Sequence, residues 1–112
     1  MVLRRSSDGG RNWGPLQVIA NDGPNPCKIP LPVVLVNGRI LLIWLWNASV
    51  QREADRGKRF VRISHSDDDG RSWAPSRDIT AQVRLPDWKP WYGIGPGHGI
   101  VKQLEPAAGR IV

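Results

Sequence analysis

One cysteine, Cys27, and one each of Met, Phe and Tyr are all that these four residue types contribute to a chain of 112 residues. A lone thiol excludes an intrachain disulfide and any metal cluster of the Cys/His type. Cys27 reads as a small buried residue rather than a nucleophile, and nothing in the chain asks for a metal or a cofactor. No apolar run approaches the ~20 residues that a membrane helix needs, so no membrane span is expected. Met1-Val2-Leu3-Arg4-Arg5 is followed by no apolar segment and does not read as a secretory signal. Acidic residues are outnumbered, 10 Asp and Glu against 16 Lys and Arg, giving a formal charge of +6. Arginine dominates the basic set and binds carboxylates and phosphates bidentately, so an anionic ligand is one explanation. Arg4, Arg11, Arg39, Arg62, Arg71, Arg77, Arg84 and Arg110 are scattered, however, as on solvated strand faces. Basic patches with interleaved stacking aromatics are missing, so no nucleic-acid partner is expected. Long amphipathic helical patterns are also absent, whereas Gly (12) and Pro (10) are abundant. Together these point to an all-β fold with many turns.

What the chain does have is an internal repeat. Ser66-Asp67-Asp68-Asp69-Gly70-Arg71-Ser72-Trp73 repeats the design of Ser6-Ser7-Asp8-Gly9-Gly10-Arg11-Asn12-Trp13. Ser6/Ser66, Asp8/Asp68, Gly10/Gly70, Arg11/Arg71 and Trp13/Trp73 coincide, and the match runs on through Pro15/Pro75 and Ile19/Ile79. Ser and Asp side chains bond nearby backbone groups and close a turn from inside. Gly10 and Gly70 supply the positive φ that a tight turn often requires. The tryptophans follow where a large ring can fold back over the turn and bury its surface. Strand-like runs flank both copies, so both read as β-hairpin turns. Two ordinary Asp/Gly turns alike by chance are the alternative.

Taken in order, Val2–Arg5 and Leu16–Ala20 are strands around the first turn. Asn21-Asp22-Gly23-Pro24 is a turn, and the following segment to Pro32 is loop, punctuated by Pro26 and Pro30. Pro32–Val36 is a short strand, Asn37-Gly38 a hairpin turn, and Arg39–Trp46 a nearly all-apolar strand of the kind covered on both faces. Asn47–Lys58 is a charged connection. Arg59–His65 and Ser76–Ile79 are strands around the second turn, and the stretch from Thr80 to Trp91 has room for a short helical turn. A shaped loop through Pro96, Gly97 and Gly99 leads to a strand over Ile100–Leu104, which turns at Ala107-Ala108-Gly109 into Arg110-Ile111-Val112.

Ser-x-Asp-x-Gly-x-x-Trp resembles the Asp-box, the hairpin signature that sialidases and some unrelated β-propellers carry between the third and fourth strands of a blade. Two further stretches resemble the openings of sialidase blades. One is Asn25-Pro26-Cys27 with Pro32-Val33-Val34 and Gly38-Arg39-Ile40-Leu41-Leu42-Ile43-Trp44. The other is Tyr92-Gly93-Ile94-Gly95-Pro96-Gly97-His98-Gly99-Ile100 with Gly109-Arg110-Ile111-Val112. The resemblance is to non-viral sialidases with Asp-box (BNR) repeats and covers nearly the whole chain. It implies an all-β, six-bladed β-propeller, of which residues 1–20 are half a blade, about 32–80 a full blade and about 92–112 the start of the next. A fragment of a longer protein is therefore expected, with a self-contained small β-protein as the alternative. The compartment stays open, a secreted or periplasmic parent included.

The resemblance also implies removal of terminal sialic acid from glycans by an arginine triad, an acid/base Asp and a Tyr nucleophile activated by a Glu, the tyrosine exception among glycosidases. None of these catalytic groups is expected within residues 1–112. The family motif of the first arginine is missing here, Tyr92 is not in a nucleophile motif, and Glu53 and Glu105 read as surface residues. Candidate substrate contacts are Asn25, whose amide offers a donor and an acceptor to a sugar, and Tyr92 and His98, from a loop expected at the same end of the propeller. A turn-capping role for Asn25 and a loop-fixing role for His98 remain open. Ser6, Asp8, Gly10, Trp13, Ser66, Asp68, Gly70 and Trp73 are structural in this reading, on the outer rim away from the pocket. The expected partner is a sialylated glycan or other glycoside. A non-catalytic Asp-box propeller that binds glycan or protein, or a propeller hydrolase of another sugar, carries the same boxes.

Overall fold

The computed structural model describes residues 1–49, 57–88, 92–95 and 97–112. Glu53, with most of the charged connection, and Trp91 and Pro96 lie outside the described residues.

Apart from one short helix the described chain is all-β. Strand β1 (Val2–Leu3) pairs antiparallel with β2 (Gln17–Val18). A second antiparallel sheet has the order β3-β4-β5-β6, made of β3 (Cys27–Val34), β4 (Ile40–Asn47), β5 (Arg59–Ser66) and β6 (Arg77–Asp78). Helix α1 (Thr80–Val83) follows β6, in the stretch where a helical turn was expected. No described helix is long and apolar enough to cross a membrane.

β4 is the strand around which the core forms. Its ladder with β5 is unbroken from Ile40↔Ser66 to Asn47↔Arg59. Side chains alternate along a strand, so Ile43 and Leu45 share a face with Ile63 and Val61. There Leu45, Val61 and Ile79 are buried together, with Ile29, Tyr92 and Ile94 packed against them. Leu42 and Trp44, on the opposite face, are buried too. The expected two-sided cover of this strand is therefore present. The Asn37-Gly38 turn is also where it was expected, with Gly38 at φ 84 and the Leu35 amide donating to the Arg39 carbonyl at 2.8 Å.

The structure corrects several boundaries. β3 begins at Cys27 rather than Pro32 and ends at Val34 rather than Val36. Pro26 and Pro30 do not keep this segment in a loop, because β3 lies at the sheet edge, where a missing N–H is tolerated. The ladder shifts register between Lys28 and Leu31, and Ile29 takes up the offset at φ 57. That backbone conformation costs a β-branched residue about 1–2 kcal/mol, offset by packing of the Ile29 side chain on the core cluster. The outer strands β1, β2 and β6 are each shorter than expected. In place of a strand over Ile100–Leu104 there is a single bridge, Val101↔Ile111, because bends and a turn occupy Leu104 to Gly109.

The two boxes fold alike. Ser6 Oγ donates to Asp8 Oδ1 at 2.7 Å and accepts from the Gly10 amide at 2.8 Å. Ser66 Oγ donates to Asp68 Oδ1 at 2.8 Å and accepts from the Gly70 amide at 2.8 Å. Asp8 also accepts from the Asn12 amide and side chain at 2.9 and 2.7 Å, as Asp68 does from the Ser72 amide and hydroxyl at 2.8 and 2.6 Å. Gly10 and Gly70 have φ of 88° and 76°. In both boxes the tryptophan ring lies 3.6 Å from where a glycine Cβ would stand.

The rings fold back as expected, but the expected burial fails for Trp13, which is 59% exposed, and is partial for Trp73. The difference lies in the neighbours. Leu3 Cδ2 and Arg5 Cδ come within 3.4 and 3.8 Å of the Cβ position at Gly70, whereas Trp13 alone approaches Gly10. The Gln17 side chain also donates to the Arg71 carbonyl at 2.9 Å. The β1-β2 sheet is thus seated on the second box.

Two expectations follow for stability. Leu45, with 0% exposure, should cost about 2–5 kcal/mol on truncation to Ala. Leu104→Ala, at an exposed site, should stay within about 0.5 kcal/mol of wild type in urea unfolding. The second concerns acid. The Asn12 amide, then the Ser6 hydroxyl, hold the Asp8 carboxyl down at about 2, and the Ser72 hydroxyl and amide hold Asp68 well below the usual carboxylate range. An unfolded chain titrates Asp near ~3.9, so the contribution of these carboxylates is complete above that value and is lost as pH falls through the folded values. Unfolding followed from about pH 5 down to about pH 2 should show stability falling, with a shallower fall in Asp8→Asn and Asp68→Asn. Identical pH slopes for all three chains would mean that the box carboxylates are not held as described.

Candidate functional site

The ladder register defines two ends of the four-stranded sheet. Cys27, Trp46, Asn47, Phe60 and Arg59 lie at one end, and Val34, Ile40 and Ser66 at the other. At about 3.3 Å per residue, β5 separates Arg59 from the second box by roughly 23 Å.

Asn25 sits at the first end, on the loop entering β3. Its backbone amide donates to the Asp22 carbonyl at 2.9 Å, closing the loop as an isolated bridge. Its side-chain Nδ2 donates to Asp22 Oδ2 at 3.0 Å, and its Oδ1 accepts from the Ser49 amide at 2.8 Å. The amide therefore clasps the start of β3 to the chain leaving β4, with one Nδ2 hydrogen unpartnered among the described residues. Asp22 was read from the sequence only as part of a turn. Its carboxylate also accepts from Trp46 Nε1, and that bond, followed by the one from Asn25, lowers its pKa against the opposing effect of burial. An Asn-Asp-Gly turn gives no hint of a partner on a strand 24 residues away.

Tyr92 is brought to the same end. Its hydroxyl donates to the Arg59 carbonyl at 3.0 Å, and the Arg59 guanidinium donates to the Tyr92 carbonyl and, at 2.9 Å through Nε, to Asn47 Oδ1. Asn47 is itself buried, its amide donating to the Pro26 carbonyl at 3.1 Å. Arg84 stands over the Tyr92 ring at 5.9 Å, and Trp88 packs beside it at 6.1 Å. A hydroxyl proton committed to a carbonyl suits a brace better than a nucleophile. Pairing of Asn47 with Arg59 across the strand end was not legible, since Asn47 fell in the stretch read as a charged connection while Arg59 opened the next strand.

His98 is elsewhere. The Gly99 amide donates to the Pro32 carbonyl at 3.1 Å, and exposed His98 lines a groove with Val34, Leu35 and Val36, near the hairpin end of β3. Asn25 and Tyr92 thus share one end of the sheet, and His98 stands towards the other. Both boxes' carboxylates are occupied by their own turns.

Between Asn25 and the end of β4 is a small cleft lined by Pro24, Pro26, Lys28, Asn47 and Lys58. It presents the Asn47 side chain and the Lys28 cation, a surface suited to a neutral polar or anionic ligand. Among the described residues no group of His, Cys, Asp or Glu side chains is arranged to hold a metal.

Residues 1–112 match the BNR repeat-like domain family. The chain is 29% identical to an exo-alpha-sialidase of Aspergillus fumigatus, over 98% of this chain and 34% of that protein. It is 32% identical to a sialidase of Micromonospora viridifaciens, over 100% of this chain and 19% of that protein. Human Sialidase-3 is 30% identical over 100% of this chain and 28% of its own length. Among solved structures, the Hadza microbial sialidase Hz136 superposes with a TM-score of 0.75 at 28% identity, over 89% of this chain and 23% of that one. The chain spans about a third or less of these relatives. It belongs to the BNR repeat-like domain family, together with sialidases of bacteria, fungi and mammals.

Proposed function

We propose that the chain is part of an exo-α-sialidase-like glycoside hydrolase that removes terminal sialic acid from glycans. The observation that carries this is the pairing of a full-length family match with an Asn25-centred rim beside a basic cleft. In this reading the longer protein is a six-bladed propeller. Residues 1–20 are the outer half of one blade, the β3–β6 sheet is a whole blade, and 92–112 open the next. The repeat of the box and the seating of β1-β2 on the second box support that order.

Sialic acid carries a carboxylate, and Lys28 of the cleft favours its approach without fixing its orientation. Asn25 supplies the orienting contact, donating its spare Nδ2 hydrogen to a hydroxyl or acetamido oxygen of the sugar. Tyr92 braces the rim through Arg59 and Asn47. His98, towards the far end of β3, has no share in the contact. The arginine triad, the acid/base Asp and the Tyr-Glu pair come from other blades. Positioning and electrostatic stabilisation require those groups to converge on one pocket.

The test is turnover of a fluorogenic sialoside by the longer protein and by the 112-residue chain alone. The longer protein should cleave it, and the chain alone should stay at the buffer blank. Activity in the chain that disappears in Tyr92→Phe or His98→Ala would put the active site inside this segment and contradict the proposal. Glycan binding by the longer protein with no turnover of any sialoside would replace it with the non-catalytic propeller.

A further inference from the structure

We infer that Asp22 is a positioning residue, holding the Asn25 amide so that it presents a hydrogen-bond donor to the sugar; the inference rests on the sialidase reading of the Asn25 rim. An exposed aspartate in an Asn-Asp-Gly turn ordinarily bonds its own backbone. Asp22 instead joins two side chains from different parts of the fold. Its Oδ2 accepts from Asn25 Nδ2 at 3.0 Å and from the indole Nε1 of Trp46 on β4. Trp46 is fixed in turn by its ring contact with Phe60 on β5, at 5.2 Å between centroids. A line of contacts thus runs from the sheet through Phe60, Trp46 and Asp22 to Asn25, and ends at the Ser49 amide.

The polarity of this line sets the function of the amide. An Asn side chain can be turned over to exchange its oxygen and nitrogen. Here an acceptor on one side and a donor on the other select a single orientation, with Oδ1 on Ser49 and Nδ2 on Asp22. One Nδ2 hydrogen then has no partner among the described residues. The group recognised should therefore be an acceptor, such as a hydroxyl oxygen or an acetamido carbonyl. Without Asp22 the loop loses its tie to Trp46, and the amide keeps only Ser49.

The experiment is a mutant cycle in the longer protein, read as KM and kcat on a fluorogenic sialoside. Asn25→Ala and Asp22→Ala should each raise KM about tenfold with kcat within about twofold, the pattern of lost ground-state contact. The double variant should be no worse than Asn25→Ala alone, because Asp22 acts through Asn25. Trp46→Phe keeps the ring on Phe60 but removes the indole donor, so it checks the same line without emptying the packing; it should raise KM in the same direction. Asp22→Asn, which retains an acceptor, should recover most of the loss. An Asp22→Ala enzyme with wild-type KM, beside an impaired Asn25→Ala, would overturn the positioning role and leave the rim reading intact, as would penalties that add in the double variant. Wild-type KM in Asn25→Ala would overturn both. Should the longer protein bind without turning over, the same cycle read as Kd for sialyllactose separates the same outcomes, and no binding at all overturns both.

Discussion

A carboxylate surrounded by donors is the interaction on which the outer part of this structure depends. Asp68 gathers the Ser66 hydroxyl and the amide and hydroxyl of Ser72, while Ser66 Oγ takes the Gly70 amide. Those bonds satisfy backbone groups that would otherwise be unpaired in a tight turn, and they let Gly70 adopt the positive φ that brings the chain back. The returning chain then donates from Ala74 to the His65 carbonyl, forms β6, and delivers Ile79 into the core beside Leu45 and Val61. The Thr80 hydroxyl finishes the return by accepting from the Val61 amide at 2.8 Å. Leu3 and Arg5 lie over Gly70 at distances where a Cβ would make only ordinary contact, so it is the positive φ that calls for glycine there. The box is therefore both a turn and a seat for the neighbouring sheet.

The unbroken β4–β5 ladder separates this structural end from the polar one. β4 is packed on both faces, and its far end carries two side-chain networks. Asn47, Arg59 and Tyr92 form one brace there, and Asp22, Asn25 and Trp46 form the other. Asn25, Asp22 and Tyr92 lie on connecting segments, and these bonds to strand-end residues fix them to the sheet. Buried apolar contacts lie on the ladder's faces, while the side-chain hydrogen-bond networks lie at its end.

Much of this was legible in the residues. The box repeat announced both hairpins, because Ser, Asp, Gly and Trp at those spacings have few other uses. The apolar run Ile40–Trp46 announced a strand covered on both faces, and Asn37-Gly38 announced its turn. The start of β3 was not legible, since Pro26 and Pro30 signal loop unless the strand is known to lie at an edge and to carry a register shift. The exposure of Trp13 could not be read either, because a ring's burial depends on which strand lies over it. Asn25 was visible as a candidate, but its partners were not. Asp22, Trp46 and Ser49 are joined to it by the register of β3 on β4, a tertiary fact with no local signature.

The placement of the sugar at the Asn25 end of the sheet is tested most directly by a crystal structure of the longer protein soaked with 2,3-dehydro-2-deoxy-N-acetylneuraminic acid, a planar mimic of the sialidase transition state. The ligand should lie at the strand ends that carry Asn25 and Asn47, with a ring substituent accepting from Asn25 Nδ2 and both Asp-boxes left empty. Density for the ligand beside the boxes or in the groove at His98, with Asn25 uncontacted, would contradict the site.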